Sequence, residues 1–181
     1  MRGRRRAGRS LRTNGIRLRA AWLAAVADGA ALDEDFRDIL VCLQQANVAF
    51  VIVGAHALAA HGLPRATGDI DILVEPSGEN AVRFRRALAA LGAPTHAHGV
   101  EAEDFATPGQ VYQIGLPPRR IDLLTSIAGT TFEEAFRSRI EVIVDGLALP
   151  FLVRAALLVS KRAAGRPKDL VDVAMLIERE R

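Results

Sequence analysis

The sequence predicts a small mixed α/β core over residues 33 to about 150, with a pair of helices behind it. Three observations carry that prediction. Short apolar runs rich in Val and Ile alternate with stretches of helical period. Gly or Pro punctuates the junctions. From about residue 152 the chain reads as two helices broken at Gly165 and Pro167. With 181 residues, the chain suits one domain of ordinary size.

The elements follow in order. "LDEDFRDILVCLQQANV" repeats Phe36, Ile39, Leu40 and Leu43 at helical spacing, with acids in the first turn, where the helix dipole favours them. "VAFVIVG" (48–54) reads as a buried strand ending in glycine, and "AHALAAHG" as a short helix closed by Gly62. "DIDILV" (69–74) is a second strand, broken by "PSG". "ENAVRFRRALAAL" (79–91) is an amphipathic helix stopped by Gly92 and Pro94. Residues 95–109 have loop composition and hold His96, His98, Glu101, Glu103 and Asp104; the His-x-His beside two glutamates is a weak hint of zinc. "QVYQIGL" and "RRIDLLTS" are strands joined by a turn at Pro117-Pro118. A short helix near 131–137 and the strand "RIEVIVDG" complete the core. "LVRAALLVSKRAA" and "PKDLVDVAMLIERE" are the closing helices.

Half of the residues are hydrophobic and only 5% are aromatic, so Ala, Leu, Val and Ile must fill the core. A single cysteine, Cys42, excludes a disulfide framework and fits a reducing cytoplasm. No apolar run approaches the roughly 18 residues of a membrane span. The net charge of +3 is unevenly spread. Residues 1–20 hold eight arginines and no acid, so removing those eight charges leaves −5 for residues 21–181. Residues 1–30 therefore read as a basic extension outside the folded part, 31–181. Three readings fit it: a disordered tail or over-extended start, an arm that neutralises nucleic-acid phosphates, or a targeting signal whose short apolar stretch is interrupted by Asp28.

The two aspartates of "DIDILV" raise the functional question. Residues i and i+2 of a strand share a face, so Asp69 and Asp71 point together while Ile70 and Ile72 point the other way. Like charges this close disfavour each other's ionised form unless a cation joins them. Hard divalent cations prefer oxygen ligands, and Mg²⁺ is commonly held by one or two carboxylates plus substrate phosphates. Upstream, a strand ends at Gly54 and a helix begins, so backbone can approach a ligand there. A bare D-x-D pair also fits two exposed aspartates at a strand end.

The stretch "VGAHALAAHGLPRATGDIDILV" resembles the signature of the polymerase-beta-like nucleotidyltransferase superfamily. It looks most like the small bacterial branch with AbiEii-type toxins and minimal nucleotidyltransferases. That signature is h-G-[GS], a short helix, then R-x-T-x-D-h-D-h-h, with Gly54, Arg65, Thr67, Asp69 and Asp71 at the matching positions. "RRIDLLT" supplies Asp122 where the superfamily has a third carboxylate. "SKRAAGRPKDLVDVAML" matches a helical lysine and a K-D-h-h-D-h segment with Lys161, Lys168, Asp169 and Asp172. The likeness spans about residues 48–177.

The resemblance implies an α+β fold: a small mixed, largely antiparallel sheet backed by helices, with a C-terminal helical pair. It implies two Mg²⁺ ions (Mn²⁺ as a substitute) on Asp69, Asp71 and Asp122. A nucleoside triphosphate would be held by Gly54, Ala55, His56, Arg65, Thr67, Lys161, Lys168 and Asp169. The nucleotide would pass to a hydroxyl on RNA (tRNA), a protein or a small molecule, releasing pyrophosphate. An antitoxin-like protein partner, no membrane and a cytoplasmic setting complete the expectation.

Each residue also has a plainer reading. Asp122 could pair with Arg119 or Arg120. Arg65 and Thr67 could merely shape a turn. Lys161 could be a surface lysine, although both lysines of this arginine-rich chain fall in the matching segment. Asp169 could simply complement the helix dipole, and Lys168 with Asp172 could be a surface i,i+4 pair. His56 and His61, five residues apart, do not share a helix face. Ala55 stands where the family pattern has Gly or Ser and offers only its backbone N–H. That departure favours an alternative, a nucleotidyltransferase fold that binds or regulates without catalysis.

Overall fold

The computed structural model describes residues 32–179. The first helix, α1 (Glu34–Gln45), is capped by Asp33, whose side chain accepts the Asp35 N–H at 3.0 Å. It buries Phe36, Ile39, Leu40 and Leu43, the residues its period selects. There follow β1 (Phe50–Ile52), α2 (Gly54–Ala60) and β2 (Asp69–Val74). Helix α3 (Gly78–Leu91) packs on α1, buries Ala81, Phe84, Ala87 and Leu88, and stops at Gly92, whose φ of 78° is the left-handed stop glycine adopts freely.

Within 95–109 one 3₁₀ turn forms, Ala102–Ala106, stabilised by a capping box between Glu101 and Asp104. Strands β3 (Val111–Ile114) and β4 (Arg120–Leu124) form a hairpin across Pro117-Pro118. Helix α4 (Phe132–Ser138), strands β5 (Ile140–Val144) and β6 (Leu147–Phe151), and helices α5 (Arg154–Ala164) and α6 (Pro167–Glu178) complete the fold.

The sheet is six-stranded and open, in the order β3-β4-β2-β1-β6-β5. β1–β2, β3–β4 and β5–β6 pair antiparallel, while β2–β4 and β1–β6 pair parallel. The class is mixed α+β, as the sequence predicts. One strand, β6, goes unread in the sequence. Pro150 disguises it, since proline cannot donate to a ladder. Here its pairing with β1 is a single position, Ile52 with Phe151, so little is lost.

A buried asparagine ties the layers together. Asn80 of α3 accepts from Ala49 N–H at 2.8 Å and donates to the carbonyls of Ala49 and Glu75 at 3.1 Å each. It thereby satisfies backbone groups at the ends of β1 and β2. The His-x-His hint of zinc finds no support: among the described residues no group of three His, Cys, Asp or Glu is placed to hold a metal, and His98 Nδ1 lies 3.0 Å from the Tyr112 hydroxyl. Among the described residues no helix is long and apolar enough to cross a membrane. The basic stretch 1–30 lies outside the described residues.

Candidate active site

The parallel pairing of β2 with β4 builds the site. Its register sets Asp69 beside Arg120 and Asp71 beside Asp122. Adjacent strands in register present such neighbours on one face. Ile70 and Ile72, on the opposite face, are fully buried. Three carboxylates and one guanidinium thus share a small area, with Gln113 joining from β3 opposite Asp122.

The carboxylates differ in their partners. Thr67 Oγ1 donates to Asp69 Oδ1 at 2.5 Å. Arg120 Nη2 donates to Asp69 Oδ2 at 2.6 Å and to Asp122 Oδ2 at 2.9 Å, and its Nε donates to Asp122 Oδ1 at 2.7 Å. Gln113 Nε2 donates to that same Oδ1 at 3.1 Å. These bonds raise the Arg120 pKa above its ordinary value, the hydrogen bond to Asp122 contributing most. Of the two plainer readings of Asp122, the pair with Arg120 is therefore present. Arg119 points elsewhere, to Asp33 at 3.1 Å and Asp35 at 3.8 Å.

Among the described residues the Asp71 side chain has no such bond. Burial, then Asp69, then Asp122 push its carboxyl up to about 6, against a partial offset from Lys168 and Arg166. Its room comes from Gly54, whose φ is 63°. A Cβ at that position would stand 1.9 Å from Asp71 Oδ2, so no larger residue fits. Gly68, which the sequence leaves unexplained, has a similar reason. A Cβ there would come within 3.3 Å of Pro118 Cα, where the hairpin turn closes on the loop before β2.

His56, in the first turn of α2, lies edge-on to Phe36 with ring centroids 5.7 Å apart. Burial lowers its pKa, against opposing pulls from the Asp69 carboxylate and backbone. Its Nε2 is buried with no hydrogen-bond partner among the described residues. His61, by contrast, is tied to the Leu152 carbonyl at 2.8 Å, away from the aspartates. Ala55 is buried against the core.

The helical pair corrects two plain readings. Lys161 is not a surface lysine: it is 6% exposed, and its Nζ contacts Asp172 Oδ2 at 2.6 Å and Asp169 Oδ1 at 3.2 Å. Asp172 is not the surface partner of Lys168; it is buried and pairs with Lys161, with Arg65 Nε at 3.6 Å. The physical reason is the tight turn at Gly165, which folds α6 back on α5 and brings both aspartates onto Lys161. Arg166 Nε reaches Asp169 Oδ2 at 2.5 Å. Burial alone would raise the Asp169 carboxyl, but hydrogen bonds from Arg166 and Lys161 outweigh it and hold the pKa below the ordinary range.

The expected residues therefore fall into two groups. Gly54, His56, Thr67, Asp69, Asp71 and Asp122 converge on the face of β2 and β4. Lys161 and Asp169 are buried between α5 and α6. Arg65 bridges from the loop before β2 to Asp172, and Lys168 with Arg166 acts electrostatically on Asp71. Sequence reasoning did not single out Gln113 or Arg166. Strand alternation could have found Gln113, whose register opposes Asp122; nothing local marks Arg166, because tertiary packing brings it near Asp71.

Among the described residues no three His, Cys, Asp or Glu side chains form a ready metal cage. The donors nonetheless suit a hard cation: three carboxylates on one face, one of them unbonded and disfavoured as an anion. Arg120 bridges the other two.

A mixed open sheet that sets paired aspartates on one strand beside a third on the next is the arrangement of a nucleotidyltransferase fold. The chain belongs to the family described as nucleotidyltransferase of unknown function (DUF6036), whose model matches residues 30–177. No curated protein matches it.

Proposed function

We propose that this protein transfers a nucleotidyl group from a nucleoside triphosphate to a hydroxyl, with Asp69, Asp71 and Asp122 holding Mg²⁺ or Mn²⁺. The observation that carries this reading is the unbonded Asp71 carboxylate. It is pushed up to about 6 beside two others, in a niche that only glycine at 54 leaves open. A cation arriving between the carboxylates would relieve this repulsion.

When bound, the metal would polarise the phosphates and favour ionisation of the acceptor hydroxyl. The chain supplies the rest. Thr67 and Gln113 fix the rotamers of Asp69 and Asp122. Arg166 and Lys168, whose charges act on Asp71, and Arg65 from the loop before β2 would supply cations to the triphosphate. The acceptor oxygen bonds to the α-phosphorus, the bond from that phosphorus to the α,β-bridging oxygen breaks, and pyrophosphate leaves with the electron pair. The acceptor's proton passes to solvent or to an aspartate. Lys161 contributes from behind, by holding the helical pair that carries Arg166 and Lys168.

The arginines of residues 1–20 lean the choice of acceptor toward RNA, with a protein or small molecule as the other options. The likeness of the Lys161–Asp172 segment to AbiEii-type proteins supports a toxin–antitoxin setting. Growth arrest on expression, relieved by a neighbouring gene, would test that setting. Ala55 favours a second reading, a fold that binds nucleotide without turnover.

A thermal titration tests the shared premise. Mg²⁺ with a nucleoside triphosphate should raise the melting temperature by several degrees at about 100 times Kd, since binding to the native state stabilises it by about 2.7 kcal/mol. The Asp69→Ala protein should not respond. Identical melting of wild type with and without each of the four nucleotides would contradict both readings.

A further inference from the structure

We propose that Arg120 is an exchangeable counter-ion: its guanidinium holds Asp69 and Asp122, and a divalent cation reaches those carboxylates by displacing it. The inference rests on the metal-binding reading above and adds a competitor to it. Every oxygen of the two carboxylates is already engaged. Asp122 Oδ1 accepts from Arg120 Nε and Gln113 Nε2, Asp122 Oδ2 and Asp69 Oδ2 both accept from Arg120 Nη2, and Asp69 Oδ1 accepts from Thr67. Lone pairs remain on three of these four oxygens, but a cation coordinated by both aspartates would stand where Arg120 Nη2 bridges Asp69 Oδ2 and Asp122 Oδ2. Two positive groups cannot share that space at contact distance.

The geometry also lets Arg120 leave. Its side chain is 29% exposed, so it has an open path to solvent. It sits at the first position of β4, beside the Pro117-Pro118 turn rather than beneath packed residues. Asp71 lies outside the guanidinium's bonds, which gives an arriving cation a first ligand before Arg120 yields. Arg120 thus keeps two aspartates aligned in the cation's absence, at the cost of weaker cation binding.

Manganese uptake by the full-length protein, counted from the free Mn²⁺ resonance signal, tests this directly. Removing a charge-assisted competitor should tighten binding of Mn²⁺ alone by about tenfold in Arg120→Gln. Arg120→Lys, a point charge without the fork, should fall between that variant and wild type. Metal-free Arg120→Gln should melt below wild type, and saturating Mn²⁺ should close the gap. Unchanged or weaker Mn²⁺ uptake in Arg120→Gln would overturn the proposal and make Arg120 a fixed brace. No Mn²⁺ uptake by any of the three proteins would overturn the metal reading itself and the proposal with it. Should Arg120→Gln not fold, the wild type still decides. Its Arg120 Nε–H nuclear magnetic resonance signal should shift and lose protection from exchange on adding Mg²⁺, and a signal unmoved at saturation would overturn the exchange.

Discussion

Gly54 and Asp71 constrain each other. The glycine adopts a positive φ and leaves a space that the Asp71 carboxylate fills to within 1.9 Å of an absent Cβ. The carboxylate, so placed, is half-buried beside two others and rises to about 6 from 3.8. The sign of the resulting pH dependence is fixed. A folded pKa above the unfolded one makes this group's contribution most favourable below about pH 4. That contribution is lost as pH rises to about 6 and stays lost above. Two units correspond to roughly 3 kcal/mol, as an order of magnitude. In EDTA, Asp71→Asn should therefore be more stable than wild type at pH 8 and should lack this loss between pH 4 and 6. Urea denaturation across that range checks it, and the same slope in both proteins would refute the account of Asp71. The shared face of Asp69 and Asp71 was legible in the alternation of "DIDILV". The glycine's reason was not, because it depends on a strand 15 residues on coming to lie against the turn.

Helices α5 and α6 serve the site indirectly. Their buried ion cluster matches Lys161 to Asp169 and Asp172, and links outward through Arg166 and Arg65. Replacing Lys161 by Met should leave two buried carboxylates short of their cation and destabilise the protein by about 3–5 kcal/mol. If the cluster also aims Arg166 and Lys168, the same variant should weaken nucleotide-dependent stabilisation more than stabilisation by Mn²⁺ alone. Equal losses in the two would reduce the cluster to a structural role. The sequence could mark Lys161 as unusual, being one of two lysines, but not as buried. Burial depends on how tightly the pair folds at Gly165, and helical period alone does not set that. Strand β6 was hidden for a related reason: Pro150 is a poor strand residue whose cost the sparse β1–β6 pairing reduces.

At the scale of the molecule, a parallel β2–β4 pairing inside a mixed sheet brings residues some fifty positions apart into one row of charge. The family signature made Asp69, Asp71 and Asp122 legible together. It did not disclose Arg120 between them, although i,i+2 spacing sets Arg120 on the face of Asp122. That row is the proposed seat of catalysis. Its most direct test is transfer of label from each α-phosphorus-labelled nucleoside triphosphate, with Mg²⁺, to total cell RNA or lysate, by the wild type and by Asp69→Ala. Label should appear on an acceptor with at least one nucleotide and be lost in the variant. Label retained in Asp69→Ala, or none with any nucleotide or acceptor, would contradict it.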